Sequence, residues 1–121
     1  MQIQIQSGHL ELTEVLRDHI VKRLTYSLSQ SRNMVARIVV SLFDRAGPRG
    51  DVDKCCSIEV RLKDASSITI DEAQADIFVA IDRATERTGR RMYQRIARFQ
   101  RVMREGRARQ MPSPFQHELQ S

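Results

Sequence analysis

Hydrophobic and polar positions change period several times along this chain. Met1, Ile3 and Ile5 alternate with Gln2, Gln4 and Gln6. A period of two predicts a half-buried first strand. Ser7-Gly8 signals a turn, and Thr13 followed by Glu14 reads as a helix N-cap with an acid in the first turn. Leu12, Leu16, Ile20, Leu24 and Leu28 then recur every fourth residue, with Val15 and His19 alongside. That spacing predicts an amphipathic helix over about 14–28. The polar run Ser29 to Asn33 closes it as a loop.

VARIVVSLF at 35–43 is a β-branched run and a second strand, and GPRGD at 47–51 is a turn or flexible loop. Residues 54–63 alternate again. Cys56, Ile58, Val60 and Leu62 fall on one face, and Cys55, Ser57, Glu59 and Arg61 on the other. Ile68 and Ile70 predict a short fourth strand. From Asp71 the period reads as helical: Ala73, Ile77, Ala80, Ile81, Ala84 and Thr88 form one stripe, prolonged by Met92, Ile96, Phe99 and Val102. The expected helix ends near residue 104. The remainder, with two prolines in QMPSPFQHELQS, reads as disordered.

The order βαβββα predicts an α+β fold of two layers. A four-stranded mixed sheet would be covered on one face by two helices. The first crossover is expected to be right-handed, which makes strands one and two parallel. The remaining strands connect as antiparallel hairpins, and the opposite sheet face, being polar, meets solvent. The expected organisation is a single domain over 1–104, then a basic and flexible C-terminal tail over 105–121.

Composition agrees with one small domain: 121 residues, 40% hydrophobic, no tryptophan. No run approaches the roughly 18 apolar residues of a membrane span. The N-terminal MQIQIQSGH lacks the basic and apolar regions of a secretory signal, so a cytoplasmic location is expected. Cys55 and Cys56 are adjacent, and neighbours in a strand point to opposite faces, so they pair poorly as a disulfide. His9, His19 and His117 are scattered and complete no metal site with them. Structural thiols are expected, with a redox role as the alternative.

Charge changes the picture most. Residues 1–86 carry a net −2 and residues 87–121 a net +7. RTGRRMYQRIARFQRVMREGRAR at 87–109 holds nine arginines, no lysine and one acid, Glu105. With Ile77 set at 0° on a helical projection, Arg83, Arg87, Arg90, Arg98 and Arg101 fall between about 220° and 300°, a flank roughly 27 Å long. A solvated surface usually mixes acids among its bases. A single-sign run calls for an anion, and arginine's planar fork suits phosphate and stacks on bases. The alternatives are a solvated face that aids solubility, or a helix on a membrane surface. The latter is disfavoured because the apolar stripe is needed by the sheet. Gly89 interrupts the run, and Arg91 and Arg95 lie near the stripe at about 320° and 0°. Either the helix outruns the sheet near residue 90, or it kinks at Gly89. Lys22 and Arg23 add charge to the first helix, and form one groove with the arginines if the helices pack side by side.

Two motifs carry a resemblance. In LELTEVLRDHIVKRL at 10–24, Thr13, Leu16, Arg17, His19, Ile20, Arg23 and Leu24 match the first helix of the ribosome hibernation-promoting factor/ribosome-associated inhibitor A family. In ADIFVAID at 75–82, Asp76, Phe78, Ala80, Ile81 and Asp82 resemble the start of that family's second helix. The resemblance covers about residues 1–104. It implies a four-stranded sheet with two helices on one face, and a non-catalytic factor that binds the small ribosomal subunit and its rRNA in the channel used by mRNA and tRNA. Such factors block translation and protect idle ribosomes in stress. By position, it nominates Lys22, Arg23, Arg87, Arg90 and Arg91 as RNA contacts, to which the helical face adds Arg83, Arg95, Arg98 and Arg101. The chain departs from the family pattern at Thr88-Gly89, where Leu-Glu is usual, in its nearly pure arginine, in the GPRGD loop and in the cysteine pair. Ending before the dimerisation domain of long members, it resembles a short, divergent form.

No nucleophile–base set, glycine-rich phosphate loop or zinc constellation stands out. Asp44, Asp51 and Asp53 lack the spacing of a calcium loop. No catalysis, cofactor, metal, membrane or small-molecule substrate is expected. Another RNA- or DNA-binding regulator on the same scaffold, or a module for an acidic protein partner, are the competing functions.

Overall fold

A computed structural model describes residues 2–8, 10–47 and 50–110 of the chain. Its elements are β1 (Gln2–Ser7), α1 (Glu14–Ser27), a single 3-10 turn (Arg32–Met34), β2 (Val35–Ala46), β3 (Val52–Leu62), β4 (Ser67–Gln74) and α2 (Ile77–Gln110). The strands form one sheet in the order β1-β2-β3-β4. β1 runs parallel to β2, with Ile3 opposite Ile38 and Ile5 opposite Val40. β2–β3 and β3–β4 are antiparallel. The two-layer α+β architecture is the one that the periods predict.

The core lies between the sheet and the helices. Leu16, Ile20 and Leu24 of α1 and Ile38, Val40 and Leu42 of β2 are buried in it, as are Ile58 and Val60 of β3 and Ile68 and Ile70 of β4. From α2 come Ala80, Ile81, Ala84 and Met92. Thr13 caps α1 as expected, its Oγ1 accepting from Leu16 N at 3.1 Å.

The two ends of α2 differ most from expectation. The helical stripe reaches back to Ala73 on paper, but Lys54 pairs with Gln74 and Cys55 with Ala73, so β4 continues through Gln74. α2 starts only after Asp76, whose Oδ1 accepts from Phe78 N at 2.7 Å. In DEAQAD two alanines satisfy either period, and ladder pairing with β3 decides for strand. At the other end α2 runs on to Gln110 rather than stopping near 104. The tail expected to be disordered lies, from 111 onward, outside the described residues, and so do Pro48 and Arg49 of the GPRGD turn.

Gly89 does not end the helix. A Cβ there would stand 3.0 Å from the Ser27 carbonyl oxygen and 3.2 Å from Ser27 Cβ. The glycine lets α2 seat against the last residue of α1. Beside it Thr88 is fully buried, and its hydroxyl donates to the Ala84 carbonyl at 2.7 Å. Thr88-Gly89 is therefore a close-packing device, where a Leu-Glu pair would force the helices apart. Up to Gly106, the last fully buried residue of α2 is Met92, Arg95 and Ile96 are half-buried, and every residue from Ala97 to Glu105 is exposed. The helix outruns the sheet, a few residues later than residue 90.

Candidate nucleic-acid interface

α2 packs over β3 and β4, and its flank away from α1 overlooks β4, an edge strand of the sheet. Two shallow hollows lie along this side. One, of about 210 Å³, is lined by Ile70, Arg87, Arg90, Arg91 and Gln94. The next, of about 290 Å³, is lined by Ile68, Arg91, Gln94, Arg95 and Arg98. Arg91 and Gln94 belong to both, so the hollows form one continuous trough. Five of the nine expected contact residues meet here.

They do not do the same work. Arg87 Nη1 donates to Glu72 Oε2 and to the Asp71 carbonyl, each at 2.7 Å. Burial would raise the pKa of the Glu72 carboxyl. Hydrogen bonds from Gln74 and Arg87, together with the charges of Arg87 and Arg83, outweigh burial and hold it below its ordinary value. Arg95 Nη1 donates to Ser66 Oγ at 3.1 Å, tying α2 to the β3–β4 turn. These two arginines fasten α2 to either end of β4. Among the described residues, no acid stands within ion-pair distance of Arg83, Arg90, Arg91, Arg98 or Arg101. Those five guanidinium groups are exposed and available to an anion.

The α1 candidates lie elsewhere. Asp82 Oδ1 bonds His19 Nε2 at 2.7 Å and stands 3.2 Å from Arg23 Nε. The second approach is at ion-pair distance but lacks hydrogen-bond alignment, so Arg23 Nε is buried without a partner. Phe78 closes the cluster with its ring 5.1 Å from His19, edge to face. Arg23 thus belongs to the seam between the helices, while Lys22 is exposed. On the projection used above, the seam residues Asp82 and Gly89 sit at about 140° and 120° on α2, opposite the trough side. Helix packing therefore does not bring Lys22 and Arg23 into the arginine trough. The motif residues His19 and Asp82, singled out only as family matches, prove to be the polar lock of that seam.

The cysteines divide between faces. Both are buried and free. Cys56 enters the core, where burial pushes its thiol up to about 12, with the Glu72 and Asp71 carboxylates adding to the effect. Cys55 lies on the outer sheet face between Phe43 of β2 and Ala73 of β4. Among the described residues no group of three or more His, Cys, Asp or Glu is placed to hold a metal ion, and no helix is long and apolar enough to cross a membrane.

Residues 3–100 match the model of the family described as sigma 54 modulation protein/S30EA ribosomal protein, and the chain belongs to that family. Among solved structures, the fold is similar to a ribosomal subunit interface protein from Coxiella burnetii, with a TM-score of 0.69 and 18% identity over 80% of this chain and 99% of that one. It is also similar to the N-terminal domain of Protein Y from Thermus thermophilus, with a TM-score of 0.65 and 26% identity over 78% of this chain and 98% of that one. The first likeness is one of fold alone. No curated protein sequence gives a significant match.

Proposed function

We propose that this chain is a non-catalytic translation inhibitor that binds small-subunit rRNA, in the channel used by mRNA and tRNA, through the β4-side flank of α2. The observation that carries the reading is a set of five arginines with no acid at ion-pair distance among the described residues, Arg83, Arg90, Arg91, Arg98 and Arg101, on one unbroken helix. Family membership supplies the ribosome as the partner, and the single-sign charge supplies the reason for rRNA rather than ribosomal protein. The flank is continuous, exposed and roughly 27 Å long, a length that spans several successive phosphates. Cytoplasmic residence and a role in idling ribosomes under stress go with this reading.

Co-sedimentation with purified small subunits, at a series of salt concentrations, tests it. If all five arginines contact phosphate, log affinity falls against log salt with a slope of about −3.5 to −4.5, since each contact contributes roughly −0.7 to −0.9. Absence of binding at low salt overturns the proposal. Salt-dependent protection of some other nucleic acid, with no ribosome association, would assign the trough to a different regulator.

A further inference from the structure

The sequence contains two tyrosines and no tryptophan. The tyrosines are 67 positions apart, yet both line one hollow of about 320 Å³, together with Ser27, Gln30, Gly89 and Ile96. Tyr26 is 80% exposed and Tyr93 68%. Neither ring is spent on the core.

Two features of the packing bring them together. α1 and α2 run in the same direction, since His19 meets Asp82 and, further along both helices, Ser27 meets Gly89. α1 ends at Ser27 while α2 continues. Tyr26 stands in the last turn of α1, and Tyr93 stands one turn past the glycine contact on α2. The rings therefore flank the open end of the seam.

Each has a base beside it on its own helix. Lys22 and Arg23 precede Tyr26 by four and three residues, and Arg90 precedes Tyr93 by three, spacings that place side chains on neighbouring turns. Asp82, toward the start of α2, is taken up by His19 and Arg23. Serine and glutamine side chains at the rim offer hydrogen bonds to the edges of a planar group. Exposed aromatic faces interleaved with cationic groups are the arrangement that holds unpaired bases, with rings stacking on the bases and cations meeting the phosphates.

We propose that Tyr26 and Tyr93 form a stacking site for unpaired bases of single-stranded RNA. The site extends the RNA-binding reading above, and rests on it for the identity of the polyanion. It gives Lys22 a role that the arginine trough does not, while Arg23 stays with Asp82 in the seam. A strand crossing the seam's open end lays bases on the rings, and its phosphates reach Lys22 on one side and Arg90 on the other.

Because no tryptophan is present, fluorescence excited in the tyrosine absorption band comes from these two rings. Titration with a short single-stranded RNA homopolymer is expected to quench it, while inorganic polyphosphate, which has charge but no bases, is expected to leave it unchanged. With a dye-labelled copy of the same oligonucleotide, Tyr26→Leu and Tyr93→Leu should each weaken binding about fivefold or more, and Tyr→Phe at either site should restore it, since stacking needs the ring and not the hydroxyl. Both side chains are exposed, so these variants should unfold at the wild-type temperature. Bound oligonucleotide without quenching, or leucine variants of unchanged oligonucleotide affinity, overturns the proposal. If the leucine variants lose ribosome association while their affinity for the oligonucleotide stays intact, the rings meet a ribosomal protein and the proposal fails. Quenching by the oligonucleotide in a chain that does not co-sediment with small subunits leaves the stacking site standing and overturns the ribosomal reading alone.

Discussion

Gly89→Ala adds one methyl group to the middle of α2. In an exposed helix this exchange gains about 1 kcal/mol, because glycine loses more backbone freedom on folding. Here the new Cβ would stand 3.0 Å from the Ser27 carbonyl oxygen and 3.2 Å from Ser27 Cβ, so the neighbour has to give way by a few tenths of an ångström. The nearest atom is backbone and does not rotate away. The next residue, Leu28, is fully buried and its N–H is bonded to the Leu24 carbonyl, which pins the end of α1. Relief has to come from separating the helices or shifting α2 on the sheet, and overpacking of this kind costs about 1–3 kcal/mol. The net expectation is a loss of about 0–2 kcal/mol where propensity alone predicts a gain. Urea denaturation followed by circular dichroism measures it. Thermally, each kcal/mol corresponds to about 4–8 °C for a domain near this size. Gly106→Ala is the control on the same helix, with nothing within 4 Å of the added Cβ, and is expected never to destabilise. A Gly89→Ala protein more stable than wild type by about 1 kcal/mol would refute the packing argument, showing that α1's end yields freely.

Three further outcomes are expected. Arg87→Leu costs about 1 kcal/mol at neutral pH, the scale of a half-exposed ion pair, and flattens the acid limb of stability. The Glu72 pKa is depressed on folding, so its contribution is present above the ordinary carboxyl value of 4.5 and is lost as pH falls below it; an identical acid limb in wild type and variant counts against the pair. Cys56 and Cys55 are expected to resist thiol alkylation in the native protein at neutral pH. Because the Cys56 pKa is raised on folding, its contribution is complete below 9.0 and declines as pH rises toward about 12, and rapid native-state labelling at neutral pH would contradict its burial. Finally, Arg90, Arg91 and Arg98 replaced together by Glu should abolish small-subunit binding with the melting temperature little changed, whereas Arg87→Glu should lower both; equal melting losses in the two proteins would show that the trough arginines are structural.

Periodicity made the fold legible because each element's buried face repeats along its own chain. Leu16, Ile20 and Leu24, or Ile58 and Val60, declare their face without reference to a neighbour. Periodicity failed at residues 71–76, where alanines fit either period and pairing with β3 decides. The site was legible only in part, for the same reason. A helical projection places Arg87 and Arg90 on one flank, but it does not show what lies beside that flank. The edge of β4 gives Arg87 an acid and a carbonyl, and gives Arg90 neither, so one is a fastening and the other an open cation. Gly89 read as a flaw in the helix because its reason, the Ser27 carbonyl, is 62 residues away in sequence. Nothing in the sequence marks Tyr26 and Tyr93, since neither repeats a pattern in its own helix. The contact at Gly89 that sets the two helices side by side is also what sets those rings around one hollow, so a side chain at position 89 that parts the helices should disturb stacking along with stability.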